Sequence, residues 1–398
     1  MNKNILQIGL FGFGTVGGGL AHVLERGKTV NANIKKICIR HPEKERELPK
    51  DRFTINPNDI LEDDEIDLVV ELIDDADAAY EIVKKALEKG KSVVSGNKRM
   101  LAFHLEELIC LQEEHGVALL YEASACGSIP IIRNLEEYYD NDLLKSITGI
   151  LNGSSNFILS KMFRDNLEYE SALKIAQDLG FAESDPKFDV DGFDSLFKLV
   201  ILAVHSLGVY VHPSKIFNYG ISNIKNIDIC YAIEKRKKIK LIGQILKLDN
   251  NSFTLFVMPK LVSEDEYIYS VEDEYNGVVI EGECYDKQFM FGKGAGSYPT
   301  GSAVLSDITA RVHNYRYEYK KMKYFNPLIY NDNISVEIYL RYNNLDDFSL
   351  FEFECINERY SDSKYYYVVG FIKLSNLLKI KNLLSNIDVF IAFTDNVK

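Results

Sequence analysis

Residues 5–25 read ILQIGLFGFGTVGGGLAHVLE. The stretch begins with a short apolar run, residues 5–11, which has the length and composition of a buried strand. It ends with residues 15–25, whose apolar side chains recur at helical spacing. The turn between them carries Gly12, Gly14 and Gly17 in the pattern G-x-G-x-x-G. A strand, a glycine turn and a helix in this order predict the first βα unit of an α/β fold.

The three glycines answer different geometric requirements. Gly12 allows the tight turn, Gly14 lets the backbone approach a pyrophosphate, and Gly17 lets helix and strand pack closely. The following helix presents unbonded N–H groups and its positive dipole end to phosphates. A tight turn without a ligand is the alternative, but the strand and helix on either side favour a dinucleotide site. Its predicted contacts are Gly12, Phe13, Gly14, Thr15, Val16 and Gly17.

Strand and helix patterns alternate as far as about residue 121. Further strands are predicted at 34–39, 66–73, 91–95 and 117–121, and helices at 76–89 and 103–114. This alternation predicts parallel strands with helical crossovers, a doubly wound Rossmann sheet in an α/β protein. An α+β region follows, with helices at 130–139, 169–179 and 192–207 and strands at 253–259, 277–283 and 288–292. From about 324 a segment rich in Tyr, Phe and Asn has strands at 335–341, 365–372 and 388–393 and a helix at 375–385.

Composition disfavours several classes of function. The 398 residues, 46% hydrophobic and 26% charged, suit a globular protein of two or three domains. A net charge of −13 opposes binding to a nucleic-acid backbone. The N-terminus lacks a signal-peptide cleavage pattern, no stretch approaches the ~20 apolar residues of a membrane span, and the cysteines include no C-x-x-C pair. We therefore expect a cytoplasmic protein that binds neither nucleic acid nor membrane.

The loop after the second predicted strand bears on the choice of cofactor. An acidic residue at the end of that strand would bind a ribose 2′-hydroxyl and favour NAD. This chain has Arg40, His41 and Lys44 there instead. Cations in this loop can receive a 2′-phosphate, so Arg40 favours NADP without excluding NAD. For Lys44, solvated surface charge is nearly as good an interpretation.

The predicted helix at 192–207 is apolar on almost every face and yet contains Asp194 and Lys198, four residues apart. Buried charges are costly unless they are paired or used, so the alternatives are a structural ion pair and a proton-transfer group. The residues before the helix are acidic: Glu183, Asp185, Asp189 and Asp191. They suggest a pocket for a cationic substrate such as an amino acid, or a divalent-metal loop.

Two other features of this region have structural interpretations. His205 is expected to be a core histidine whose hydrogen bonds are satisfied. The run EKRKKIK, residues 234–240, is expected to be a solvated helix face.

Six blocks of sequence together resemble homoserine dehydrogenase. They occur in the family's order: GFGTVGGG at 12–19, SGNKRMLA at 95–102, EASACGSIPII at 122–132, GILNGSSNFIL at 149–159, LGFAESDPKFDVDGFDSLFKLVILA at 179–203 and FGKGAGSYPTGSAVLSDI at 291–308. The resemblance implies the reversible NAD(P)-dependent conversion of L-homoserine to L-aspartate 4-semialdehyde. This reaction belongs to the branch of aspartate-family biosynthesis that leads to threonine, methionine and isoleucine.

The resemblance also implies roles for individual residues. Lys198 takes the place of the family's acid/base lysine, Lys98 that of the lysine beside the nicotinamide and substrate, and Asp194 that of the helix aspartate. Glu183 and Asp189 match substrate-binding positions. Asn97, Lys98 and Gly296 match positions that contact the cofactor. A monovalent cation, sodium in the family, would be held by Glu122 and the backbone carbonyls of Ala125, Gly127 and Ile129.

Three domains are expected from these patterns: a NAD(P)-binding Rossmann domain at 1–121 with a return segment at about 295–320, a catalytic and dimerisation domain at 122–294, and a reduced ACT-like α+β module at 324–398. The first helix of that module is expected to be missing or very short, because only residues 342–347 are available for it. The module would bind an amino-acid effector or serve oligomer contacts, and a homodimer or higher homo-oligomer is implied. Rival interpretations are a Rossmann dehydrogenase acting on a sugar and a cofactor-sensing regulator that binds DNA.

Overall fold

The computed structural model describes residues 5–27, 30–46, 48–362 and 365–398, which divide into two compact units. The first unit comprises the described residues as far as Asp140, with Val204–Tyr210 and Lys293–Tyr324. The second comprises Asn141–Ala203, Val211–Gly292 and Phe325–Lys398. This division differs from the three expected segments, because the C-terminal segment, residues 325–398, belongs to the second unit.

The first unit is built on parallel strands, as the alternating pattern predicts. Its strands are β1 (Leu6–Phe11), β2 (Ala32–Cys38), β3 (Phe53–Thr54), β4 (Leu68–Glu71), β5 (Ser92–Ser95) and β6 (Leu119–Leu120). Its helices are α1 (Thr15–Arg26), α2 (Asn58–Leu61), α3 (Ala76–Glu88), α4 (Lys98–His115), α5 (Ile131–Glu137), α11 (Ser297–Val312) and α12 (Lys320–Tyr324), with 3-10 turns at Lys50–Arg52 and Glu122–Ser124.

The described strands of this unit form one sheet in the order β3-β2-β1-β4-β5-β6, with every pair parallel. Strands β4 and β5 are buried at every residue, as expected when helices cover both faces of a parallel sheet. The order reverses between β1 and β4. In open α/β sheets ligands bind at such a switch point, beyond the carboxyl ends of the strands, and here that point is the glycine turn.

Helices α1 and α11 approach each other closely at two glycines. A Cβ atom on Gly19 would lie 2.2 Å from the carbonyl oxygen of Ser297, and one on Gly301 would lie 2.8 Å from the backbone nitrogen of Leu20. Neither glycine can become alanine without backbone movement. The two glycines therefore fix the return segment against the first helix after the glycine turn.

The second unit contains a large mixed sheet. Its strands are β7 (Leu144–Ile150), β8 (Phe217–Asn218), β9 (Lys237–Leu248), β10 (Ser252–Ser263), β11 (Tyr275–Gly282), β12 (Asp286–Lys293), β13 (Ile329–Tyr330), β14 (Ser335–Tyr342), β15 (Phe353–Ser361), β16 (Tyr366–Lys373) and β17 (Val389–Val397). Its helices are α6 (Gly153–Asp165), α7 (Tyr169–Asp178), α8 (Lys187–Val190), α9 (Phe193–Leu207, whose last turn belongs to the first unit), α10 (Asn226–Glu234), α13 (Leu345–Ser349) and α14 (Leu374–Leu384), with 3-10 turns at Pro213–Lys215 and Tyr267–Ser270.

The C-terminal segment joins this sheet. The strand order is β12-β11-β7-β9-β10-β17-β14-β16-β15, and β8 and β13 also pair with β10. After β13, the elements of the segment from β14 to β17 follow the order βαββαβ of a ferredoxin-like motif. The first of its helices, α13, is only 5 residues long, as the short stretch available for it predicts. The further interpretation of the segment as ACT-like stays a prediction.

The sequence patterns miss strands β7, β9 and β15, and one expectation about β9 is wrong. Residues 234–240 are not a solvated helix face, because β9 begins at Lys237 and Lys240 is only 1% exposed. The Lys240 ammonium donates to Asn156 Oδ1 (3.1 Å) and to the carbonyl of Val271 (2.5 Å). These partners come from distant parts of the chain, so the basic run by itself could not reveal its burial.

In the part of the chain that the structure describes, none of the helices is both long enough and apolar enough to cross a membrane.

Candidate active site

The three glycines of the turn, residues 12–17, differ in the space around them. Gly12 has φ +91°, and a Cβ atom there would lie 2.5 Å from the carbonyl oxygen of Leu72. A Cβ on Gly17 would lie 2.4 Å from the carbonyl oxygen of Gly12. A Cβ on Gly14, in contrast, would meet no atom within 4 Å. Gly12 and Gly17 are needed by the turn itself, whereas Gly14 borders open space, where the glycine pattern predicts a pyrophosphate.

The start of helix α1 also suits an anion. Gly14 is the N-cap residue, and no side chain in the described part of the chain caps the helix. Its first-turn N–H groups therefore point toward the space beside Gly14. Ser297, the first residue of α11, donates from Oγ to the carbonyl of Thr15 (2.8 Å). Gly296, at φ +121°, immediately precedes Ser297, so the structure brings this predicted cofactor residue next to the turn.

The predicted specificity residue Arg40 is on the surface after β2. Its side chain is 71% exposed, and its guanidinium lies 3.5 Å from the Asp75 carboxylate. Asp75 caps helix α3 by accepting from the backbone N–H of Ala78 (3.1 Å). Asp75, which the sequence patterns do not single out, is therefore a carboxylate within reach of Arg40.

Asn97 and Lys98 begin helix α4, after strand β5. Asn97 Oδ1 accepts from the N–H of Met100 (3.0 Å), and its Nδ2 donates to the carbonyl of Ile73 (3.0 Å). The amide therefore caps α4 and ties it to the loop after β4. Lys98 is half-buried in the first turn of this helix.

A buried acid supports the same strand ends. Glu71, the last residue of β4, is 0% exposed and lies opposite Phe11, the last residue of β1. Its carboxylate accepts from Ser95 Oγ (2.6 Å) and from the N–H of Ile73 (2.8 Å). Burial raises its pKa from 4.5 to about 7, against the lowering effect of these two hydrogen bonds.

In the second unit, two of the predicted catalytic residues form a buried ion pair at the start of α9. The Lys198 ammonium lies 2.7 Å from Asp194 Oδ2, and the two residues are 6% and 4% exposed. The ammonium also donates to the carbonyl of Leu151 (2.6 Å). The helix places the two side chains on one face because they are four residues apart.

Asn152 connects this ion pair to the acidic loop, residues 183–191. Its Nδ2 donates to Asp194 Oδ2 (2.9 Å) and to Asp189 Oδ1 (2.8 Å), while its Oδ1 caps helix α6 by accepting from the N–H of Ser155 (2.8 Å). We call Lys198, Asp194, Asn152 and Asp189 the lysine cluster. The sequence patterns predict no helix directly after Asn152, so they could not reveal that Asn152 caps α6 and binds Asp194.

Other acidic residues lie outside the lysine cluster. Glu183 has an exposed side chain, and its carbonyl accepts from Gln177 Nε2 (3.0 Å). Among the described residues, no group of three or more His, Cys, Asp or Glu side chains could hold a metal ion. The divalent-metal interpretation of the acidic loop therefore gains no support.

The residues implied to hold sodium lie in the first unit. Glu122 is 2% exposed, and its two carboxylate oxygens accept from the N–H groups of Ile132 (2.9 Å) and Arg133 (2.8 Å). Burial, and then repulsion from Asp307, raise its pKa to about 8. Each oxygen retains a second lone pair, so a monovalent cation fits this donor set and would offset both effects.

The nearby backbone is held in an unusual shape. Gly127 has φ +55°, and a Cβ there would lie 2.6 Å from the carbonyl carbon of Gly294. The carbonyl of Ile129 accepts from the N–H of Ile131 (2.8 Å). Carbonyl ligands leave little trace in a sequence, so only the resemblance pointed to Ala125, Gly127 and Ile129.

His205 is a satisfied core histidine, as expected. Its ring nitrogens lie 2.7 Å from Tyr121 Oη and 2.7 Å from Glu136 Oε1, and the residue is 2% exposed.

Known proteins are similar to this chain over most of its length. Residues 12–122 match the family described as homoserine dehydrogenase, NAD binding domain, and residues 130–309 match the family described as homoserine dehydrogenase. The chain is 37% identical to a homoserine dehydrogenase of Bacillus subtilis over 320 residues, 78% of this chain and 74% of that one. It is 39% identical to one of Helicobacter pylori over 316 residues, 77% and 73% of the two chains.

Solved structures extend the similarity to nearly the whole chain. A homoserine dehydrogenase from Thiobacillus denitrificans superposes with a TM-score of 0.84 at 29% identity, covering 98% of each chain. One from S. aureus gives a TM-score of 0.74 at 30% identity, covering 99% of this chain and 100% of the other. A hyperthermophilic archaeal homoserine dehydrogenase mutant, with a TM-score of 0.67 at 26% identity over 79% of this chain and 99% of the other, was solved in complex with NADPH. The chain belongs to the homoserine dehydrogenase family.

Proposed function

We propose that Lys198 is the proton-transfer residue of this enzyme and that the lysine cluster is its substrate site. The family fixes the reaction, the NAD(P)-dependent interconversion of L-homoserine and L-aspartate 4-semialdehyde by an oxidoreductase that acts on a CH–OH group. The observation that carries the proposal is the Lys198 ammonium, which is buried in an apolar helix 2.7 Å from Asp194.

The chemistry requires one proton-transfer group beside the carbinol oxygen. A bound nicotinamide would supply the acceptor for the hydride that leaves the carbinol carbon. As the C=O bond forms, the hydroxyl proton moves to neutral Lys198. In the opposite direction the charged Lys198 gives its proton to the aldehyde oxygen as the alcohol forms. Asp194 holds the ammonium in place in that charged state, so an ion pair and a catalytic role are compatible.

The remaining substrate-site assignments follow from charge. Homoserine carries an ammonium group, which Asp189 in the lysine cluster and Glu183 in the acidic loop are suited to bind. Lys98 is proposed to position the substrate oxygen, by resemblance to the family. Asn97 and Gly296 are proposed as contacts of the nicotinamide cofactor on the same basis.

Replacement of Lys198 tests the proposal. We expect Lys198→Ala to lower kcat by about 10³-fold, within the range for loss of a general acid–base group, while cofactor affinity stays unchanged. A matched control is Lys260→Met, since Lys260 is also a buried, ion-paired lysine of the second unit, 2.6 Å from Glu266. It should lower thermal stability and retain kcat. Turnover by Lys198→Ala within a few-fold of the unmodified enzyme would refute the assignment.

Cofactor preference and cation are further proposals. Arg40 favours NADP, and the NADPH complex of the archaeal relative supports the same preference. We also propose a sodium ion at Glu122 and the carbonyls of Ala125, Gly127 and Ile129, because a buried carboxylate with spare lone pairs suits one. Activity that did not change when sodium was exchanged for choline at constant ionic strength would argue against the sodium.

We also propose roles for the C-terminal segment, a homo-oligomeric assembly and a cytoplasmic location. The βαββαβ order of residues 335–397 supports an ACT-like module, which would bind an amino-acid effector or serve contacts in a homodimer. Calorimetric titration with threonine that gave neither heat nor inhibition would leave the contact role. The cytoplasmic location rests on the composition and on the expected pathway.

A further inference from the structure

We infer that residues 217–223 position the acidic loop and that the C-terminal segment holds these residues in place. We call residues 217–223 the supporting segment. The inference rests on the proposed function, because it takes Asp189 and Asp194 to be substrate-site residues. All the groups involved belong to the second unit.

Hydrogen bonds join the supporting segment to the end of the acidic loop. The N–H of Ile221 donates to the carbonyl of Val190 (2.7 Å). Asn218 Nδ2 donates to the carbonyl of Asp191 (2.9 Å), and Ser222 Oγ donates to its carboxylate (2.7 Å). Both the backbone and a side chain of the loop are therefore held by one short stretch.

Gly220 brings the two backbones into direct contact. A Cβ atom at this position would lie 1.8 Å from the carbonyl oxygen of Val190 and 2.4 Å from the Cα of Asp191. No side chain fits between them, so a shift of the supporting segment displaces the loop. Asp189, which accepts from Asn152, lies two residues before Asp191, and α9 with Asp194 and Lys198 begins two residues after it.

The other side of the supporting segment is bound to the C-terminal segment. Tyr219 Oη donates to the carbonyl of Val389 (2.8 Å) in a buried contact. Asn223 Nδ2 donates to the carbonyls of Leu384 (3.2 Å) and Ile387 (3.1 Å). Arg341 Nη2 in turn donates to the carbonyl of Asn223 (2.8 Å).

Arg341 makes this second set of contacts rigid. It is 0% exposed, and its Nε lies 3.0 Å from Asp228 Oδ1, while Tyr339 Oη donates to the same oxygen (3.0 Å). A buried, multiply bonded guanidinium has one favourable position, because moving it would leave charges unpaired. The C-terminal segment thus holds the supporting segment, and the supporting segment holds the substrate carboxylates. Tyr219 and Asn223 are positioning residues for homoserine binding.

The first test compares two asparagines. Asn223→Ala removes both hydrogen bonds to the C-terminal segment, and we expect the KM for homoserine to rise about five-fold, with the KM for NADP⁺ changed less than about two-fold. Asn357→Ala is the matched control, since Asn357 Nδ2 donates to Glu337 (2.6 Å) wholly within the C-terminal segment. It should change thermal stability but neither KM. Equal changes of both KM values in Asn223→Ala would overturn the inference.

A second pair of variants guards against poor folding of the first. Tyr219→Phe keeps the ring and removes the bond to Val389, and we expect a rise of about three-fold in the KM for homoserine. Tyr367→Phe, which loses a bond to Glu358 inside the C-terminal segment, should show none. Ser222→Ala should also raise the KM for homoserine. Ser222→Thr, which keeps the hydroxyl, should have the KM for homoserine of the unmodified enzyme.

The outcomes separate this inference from the proposed function. If Lys198→Ala abolishes turnover while the Tyr219 and Asn223 variants keep the homoserine KM of the unmodified enzyme, the inference is wrong and the proposed function stands. If Lys198→Ala remains active, the proposed function fails whatever the supporting segment does.

Discussion

The glycine turn and the lysine cluster solve opposite problems. In the turn, missing side chains matter, because Gly14 leaves open space and Gly12 and Gly17 allow close backbone contact. In the lysine cluster, buried charges matter, because Lys198 and Asp194 pair in an apolar helix and Asn152 donates to Asp194. The turn uses backbone N–H groups that need no partner side chain, whereas the cluster requires every charge to be paired. Sites of the first kind are local in sequence, and sites of the second kind need tertiary contacts.

The largest effect is expected at the ion pair. Asp194→Asn keeps the shape of the side chain but leaves the Lys198 ammonium without its charged partner, so kcat should fall by about 10²-fold. Steady-state kinetics with homoserine would measure the fall. The control is Asp165→Asn, because Lys161 and Asp165 form a pair of the same spacing at 3.0 Å on a more exposed face. Equal, small effects of both variants would mean that the buried pair is only structural.

Two alanine substitutions in the glycine turn should have different effects. Gly17→Ala forces a Cβ to within 2.4 Å of the Gly12 carbonyl oxygen, and we expect it to cost about 1–3 kcal/mol of stability and to weaken cofactor binding. Gly14→Ala meets no protein atom, so it should weaken cofactor binding about ten-fold with little change in melting temperature. Fluorescence titration with NADPH and thermal unfolding measure the two quantities. Unchanged affinity in Gly14→Ala would show that the cofactor does not pass this space.

The pH dependence of stability tests the buried acid beside the glycine turn, Glu71. Because burial raises the pKa of Glu71 to about 7 from 4.5, the folded state keeps a proton that the unfolded state has lost between these values. Its contribution to stability is complete below pH 4.5 and is lost as pH rises through 7. We expect Glu71→Gln to remove on the order of 1 kcal/mol of the loss in unfolding free energy between pH 5 and pH 8. Calorimetric melting at the two pH values tests this, and an unchanged pH slope would contradict it.

The smallest effect is expected at Arg40. Because its side chain is 71% exposed, Arg40→Ala should raise the KM for NADP⁺ only about three-fold and leave the KM for NAD⁺ unchanged. Assays with both cofactors measure the difference. Asp75→Asn should lower the KM for NADP⁺, because it removes the carboxylate that competes for Arg40. Equal changes of the KM for NAD⁺ and the KM for NADP⁺ would show that Arg40 does not set the cofactor preference.

The sequence by itself determined the features whose signals are local. The apolar run, the glycine pattern and the helix that follow one another in residues 5–25 predict the βα unit and its turn. The alternation of strands and helices predicts the parallel sheet, and the four-residue spacing of Asp194 and Lys198 predicts their shared helix face. Each of these depends on residues within a few turns or strands of one another.

Only the tertiary structure decided which distant groups meet. Asn152 donates hydrogen bonds to Asp194 and Asp189, and Lys198 donates one to the carbonyl of Leu151. Lys240 is buried within strand β9. Residues 325–398 extend the sheet of the second unit, and residues 217–223 connect them to the acidic loop. A hydrogen bond between distant residues leaves no periodic trace, because any donor of suitable length can satisfy the same acceptor. The local sequence pattern therefore predicts the helix that contains the two charges, whereas the tertiary structure determines which groups bind them.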